Sequence, residues 1–90
     1  MNLSAAELGL DILVVPNFTL CADVSRGLRP SFTEAAPPQS ARRLIEDYVS
    51  ALRACDGVGR VEQGFFGDSM SLDLRCCGPV TIILDTKDWR

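Results

Sequence analysis

The stretch PPQSARRLIEDYVSALRACDG, residues 37–57, decides the fold. Proline is well placed at a first helical position, because its missing N–H would be unpaired there anyway. Ala41, Leu44, Ile45, Tyr48, Leu52 and Cys55 then recur at helical spacing as one apolar face. Arg42, Arg43, Glu46, Asp47, Ser50 and Arg53 fill the remainder, and Gly57 is a natural stop. The spacing predicts a single helix between Pro37 and Gly57.

Strand signals lie on both sides of it. Asp11 to Val15 and Phe18 to Ala22 are apolar runs parted by Pro16-Asn17, either two strands or one bent strand. Asp23 to Pro30 reads as a loop. Beyond the helix, Val58 to Glu62 reads as a short strand and Gly64-Phe65-Phe66-Gly67 as a tight aromatic turn. Met70, Leu72, Leu74 and Cys76 alternate with Ser71, Asp73, Arg75 and Cys77, the period-two pattern of a strand with one buried face. Gly78-Pro79 breaks that strand, and Val80 to Leu84 reads as a strand covered on both faces. The expected order is β-β-α-β-β-β: an α+β domain spanning 1–90, mainly antiparallel sheet with one packed helix.

Composition narrows the function classes. A chain of 90 residues buries only about 60–65% of its unfolded surface, so its core is marginal. Its 47% hydrophobic content argues against disorder and for apolar surface meant for a partner, such as a second subunit. The longest apolar run, Ile12 to Pro16, is strand-sized, so no membrane span is expected. The N-terminal region carries Glu7 and Asp11 and no basic segment, which points away from a targeting peptide and toward the cytoplasm. A net charge of −3 gives no basic footprint for DNA or any duplex, so contact with RNA should be local.

Cys21, Cys55, Cys76 and Cys77 follow no metal-binding spacing and are expected to be free, buried thiols. The chain has no histidine, which removes Ser–His–Asp and Cys–His catalysis together with histidine-ligated metals. No metal or other cofactor is expected. Asp85 and Asp88 read as surface acids, and Trp89 either caps a core edge or lies exposed.

Five stretches together resemble the D-aminoacyl-tRNA deacylase family, also called D-Tyr-tRNA deacylases. Pro16-Asn17-Phe18-Thr19-Leu20 is similar to the family's Ser-Gln-Phe-Thr-Leu, and Arg29-Pro30-Ser31-Phe32 to its Arg-Pro-Ser-Phe loop. Ala36-Pro37-Pro38 resembles its helix start. Gly64-Phe65-Phe66-Gly67 with Met70 resembles Gly-x-Phe-Gly-x-x-Met, and Cys76-Cys77-Gly78-Pro79-Val80-Thr81 resembles Asn-x-Gly-Pro-Val-Thr. The resemblance covers essentially the whole chain and corresponds to the C-terminal portion of the family, with Met1 at an internal methionine. A fragment, a misplaced start and one half of a split protein all fit that pattern.

The resemblance implies a barrel-like sheet in the complete fold, a homodimer, and hydrolysis of the ester of D-aminoacyl-tRNA. Its expected partner is the 3′ end of aminoacyl-tRNA, bound through the terminal adenosine. By this likeness Gly78 and Pro79, joined by a cis bond, pass from one subunit into the other's pocket and exclude L-amino acids. Phe18 and Thr19 then supply backbone N–H groups for the developing oxyanion, while Pro16, Asn17, Phe66, Gly67 and Met70 contact substrate. Read from the residues alone, Gly78-Pro79 is a simple turn, Thr19 a sheet residue, and Phe66 and Met70 core. Ala41 reaches the pocket or packs. Arg29 meets phosphate or fixes its loop.

Two motifs depart from the family pattern: Pro16-Asn17 stands for Ser-Gln, and Cys76 for the asparagine before Gly-Pro. A non-catalytic deacylase-like binding or assembly subunit is therefore the alternative expectation, and an unrelated α+β interaction module a third.

Overall fold

The computed structural model describes residues 2–88; the expectations for Met1 and Trp89 fall outside them. Its first element, helix α1 (Ala5–Leu8), was not foreseen. The Ser4 Oγ accepts from the Glu7 N–H at 3.1 Å, and Gly9 closes the helix at φ 65°. This is a serine N-cap, with the Ser4 hydroxyl also donating to the Glu7 carboxylate, followed by a left-handed C-terminal glycine.

Strand β1 (Ile12–Val14) follows. The expected strand at Phe18 to Ala22 is instead a 3-10 turn, Phe18–Cys21. The Asn17 side-chain oxygen takes the Thr19 N–H at 3.1 Å, and this local bond displaces extended pairing.

Helix α2 (Pro38–Arg53) forms where the periodicity placed it and ends at Ala54, short of Gly57. Gly57 has a different task. It turns the chain at φ 90° against α1, where a Cβ would strike the Ala6 carbonyl oxygen. The expected strand at Val58 to Glu62 appears as β2 (Val61–Gln63).

β1 and β2 pair in parallel, Ile12 opposite Val61 and Val14 opposite Gln63, which corrects the expected antiparallel sheet. The connection allows it: β1 and β2 are joined by a long crossover containing α2, the kind of connection that parallel neighbours require. Among the described residues the antiparallel element is one isolated bridge, Asp23 with Ser31. The fold is thus α+β, with one main helix on a small sheet.

The core is correspondingly small. Val14 is 8% exposed, Val49 1% and Val61 6%, with Ile12, Ile45, Leu52 and Val58 packed around them. The Arg53 guanidinium fastens the end of α2 to this layer, donating to the Val61 carbonyl oxygen at 2.9 and 3.3 Å. The buried stripe of α2 runs Ile45–Val49–Leu52, so the expected face is corrected by part of a turn. Leu44, 63% exposed, and Tyr48, 57%, belong to the apolar face read from the sequence but face outward.

The two strands expected at Met70 to Cys77 and Val80 to Leu84 do not form; the backbone there makes no strand pairing. Leu72, Leu74, Val80, Ile82, Ile83 and Leu84 are all exposed. A strand needs a neighbour for its N–H and C=O groups, and the described residues supply none. All four cysteines are exposed, correcting their expected burial, because the segments that carry them lack cover.

Candidate functional site

Pro16 is buried against Gly64, whose Cβ position would lie 3.4 Å from Pro16 Cδ. The end of β1 is thereby held beside the segment leaving β2, and Gly64 N–H donates to the Val14 carbonyl at 2.9 Å. Two residues on, Phe65 to Asp68 make a tight turn. The Asp68 N–H reaches the Phe65 carbonyl at 3.2 Å, and Gly67 takes φ 81°, which a residue with a Cβ adopts only under strain. Met70 returns toward the strand ends, so its Sδ would be 2.6 Å from a Cβ on Gly64.

These turns enclose an open cleft of about 380 Å³ lined by Pro16, Asn17, Phe18, Gly67, Asp68, Ser69 and Met70. An apolar groove of about 180 Å³ adjoins it, walled by Phe18, Ala41, Leu44, Ile45 and Phe66. Ala41 therefore faces the groove while leaving room in it.

Phe32 buttresses Phe18, ring centroids 5.5 Å apart and edge to face at 67°. The Arg29-Pro30-Ser31-Phe32 loop is returned to that position by the Asp23–Ser31 bridge, with bonds of 2.6 and 2.7 Å. Asp23 is further tied to Ser25, whose hydroxyl and backbone N–H lower its pKa from 3.8 by favouring the carboxylate. Arg29 forms neither of the ion pairs found among the described residues.

Of the nine site residues expected from the sequence, Pro16, Asn17, Phe18, Gly67 and Met70 line one cleft, and Phe66 lines the groove beside it. Thr19 stands next to them, but its N–H and hydroxyl both donate to the Asn17 side-chain oxygen. An ester oxygen using that N–H would have to displace it.

Gly78 and Pro79 are not brought there. They line neither cavity, and both are exposed. The peptide bond between them is trans, correcting the implied cis form. An X–Pro bond free of tertiary contacts keeps its trans preference of about 0.5–1 kcal/mol.

Sequence reasoning passed over Asp68 and Ser69 in the cleft wall, Phe32 behind Phe18, and Arg42. The Arg42 guanidinium stands 5.4 Å from the Phe66 ring centroid. Only Phe32 carried a usable signal, its place in the Arg-Pro-Ser-Phe motif.

The arrangement can hold a planar apolar group between aromatic walls, with polar turns at one end. The chain matches the family model described as D-Tyr-tRNA(Tyr) deacylase over residues 1–85. It is 51% identical over 90 residues to the D-aminoacyl-tRNA deacylase of Thermomicrobium roseum, covering 100% of this chain and 57% of that protein. Those of Teredinibacter turnerae and Chlorobaculum parvum are 49% and 50% identical over 86 residues. They cover 96% of this chain and 58% and 57% of the relatives. The chain therefore spans somewhat over half the length of the curated relatives it matches.

Proposed function

The chain belongs to the D-Tyr-tRNA(Tyr) deacylase family, and from that membership we propose that it hydrolyses the ester bond of D-aminoacyl-tRNA within a complete deacylase. The carrying observation is the convergence of Pro16, Asn17, Phe18, Gly67 and Met70 on one cleft, with Phe66 in the groove beside it. The terminal base stacks in the Phe18–Phe66 groove, where each base–aromatic contact contributes about 1–3 kcal/mol. The ester lies in the adjoining cleft, near the Phe18 and Thr19 backbone. Without histidine, catalysis relies on backbone donors to the oxyanion and on the substrate's own 2′-hydroxyl to help activate water or the ester.

Residues 1–90 act as one domain that is completed by further structure. The protein exposes 8332 Å² where a compact chain of its mass exposes about 5200 Å². A surplus of roughly 3,000 Å² on one chain exceeds the one-sided share of a typical obligate interface, about 1,000–2,500 Å² per partner, so it leaves room for more than one covering neighbour. The exposed, unpaired 70–84 segment supplies much of it, and the occupants are the rest of a deacylase-length chain and a second subunit. Gly78 and Pro79 then reach the cleft from that second subunit and exclude L-amino acids.

The Thr19 N–H, taken by Asn17, favours a second reading, a binding subunit that keeps the cleft without the chemistry. A hybrid separates the two, with this chain replacing its counterpart in the Thermomicrobium roseum deacylase. Selective release of D-tyrosine from D-Tyr-tRNA, with L-Tyr-tRNA left intact, supports the enzyme. A folded hybrid that binds D-Tyr-tRNA and releases nothing supports the binding subunit.

A further inference from the structure

Among the residues that line the cleft and its neighbouring grooves, Arg42 alone is basic. It sits in the first turns of α2, beside Ala41 of the groove wall. Its guanidinium lies 5.4 Å from the Phe66 ring centroid, within cation–π range. Neither ion pair among the described residues includes it; those are Arg60 with Asp11 and Lys87 with Asp85.

We propose that Arg42 binds the phosphate on the 5′ side of the nucleoside whose base occupies the Phe18–Phe66 groove. This inference rests on the nucleoside reading of that groove. Phe66 belongs both to the groove and to the shallow cleft that contains Arg42. A base stacked on the groove side leaves its 5′ phosphate within one nucleotide's reach of the guanidinium. A guanidinium can lie against a ring and still present its N–H fork to phosphate oxygens. The chain carries −3 overall, so it gains no general attraction for RNA, and one placed cation has a large share of the backbone contact.

Glu46 opposes it. That carboxylate shares the shallow cleft with Arg42 and repels a phosphate there, so the site prefers one phosphate held at Arg42 to a run of them.

The test is an NMR titration of the full chain with adenosine and with adenosine 5′-monophosphate at low salt. The monophosphate should bind about three- to fivefold more tightly, the span of an exposed ion pair, with the difference shrinking as salt is added. Arg42→Gln should bring the ratio to unity while adenosine itself binds as before, Arg42→Lys should keep most of it, and Glu46→Gln should raise it. Equal affinity for both probes, with shifts at Phe18 and Phe66, would overturn the phosphate contact and leave the groove reading standing. Parallel loss of both probes in Arg42→Gln would also overturn it, making Arg42 a support for Phe66. No binding of either probe in the groove would overturn the groove reading and the phosphate contact together.

Discussion

Asn17 occupies the hydrogen-bond donors of Thr19 beside the cleft. Its side-chain oxygen caps the 3-10 turn and holds the Thr19 N–H and hydroxyl. Asn17→Ala should expose the Thr19 amide to rapid hydrogen exchange and cost about 1 kcal/mol in local stability, as loss of a cap does. An unchanged exchange rate would mean the cap is not formed in solution. Asp23 gives a second residue-level prediction. Its folded-state pKa lies below 3.8, chiefly through the Ser25 hydroxyl and then the Ser25 backbone N–H. The stabilisation it gives the loop is present above the ordinary carboxylate value and is lost as pH falls through the lowered one. Ser25→Ala, followed by NMR titration, should move the Asp23 midpoint back toward 3.8. At this scale the sequence was partly legible. Ser4-x-x-Glu7 and Gly9 carried a full helix signature, and the aromatic and glycine residues of the cleft stood out. Asn17 was visible as a motif residue, but its bond to Thr19 depends on the backbone turn it helps to make.

Helix α2 was legible because its period and its Pro37-Pro38 start are local properties. The half of its apolar surface that is buried is not local: the position of β1 and β2 turns Ile45, Val49 and Leu52 inward and leaves Leu44 and Tyr48 outside. Val49→Ala should therefore cost about 2 kcal/mol, through lost transfer energy and the cavity left behind. Leu44→Ala should change the stability of this chain by no more than about 0.5 kcal/mol. Denaturant melts of both variants read the difference, and equal losses would place Leu44 in the core. Parallel pairing was hidden for a related reason. The sequence showed a strand on each side of a helix without showing that these two were partners. The alternation of Met70 to Cys77 is a genuine strand pattern, but pairing needs a neighbour that this stretch cannot provide for itself.

At the scale of the whole molecule, the shape is open. The radius of gyration is 15.4 Å, against about 12 Å for a compact domain of this length. Three valines fill the core while a row of leucines and isoleucines faces outward. The chain alone should self-associate or bind an apolar dye, and sedimentation should find it larger than a monomer at micromolar concentration. A compact monomer that ignores the dye would mean the 70–84 segment covers itself in solution.

We propose that the Pro16–Phe18 and Phe66–Met70 turns together hold the aminoacylated nucleoside. This placement is tested most directly by titrating the isotope-labelled chain with a non-hydrolysable amide of D-tyrosine on 3′-amino-adenosine. Saturable shifts are expected at Asn17, Phe18, Phe66 and Met70, with Tyr48 on the outer face of α2 unmoved. Saturable binding that moves Tyr48 and leaves Phe18 and Phe66 in place would contradict it.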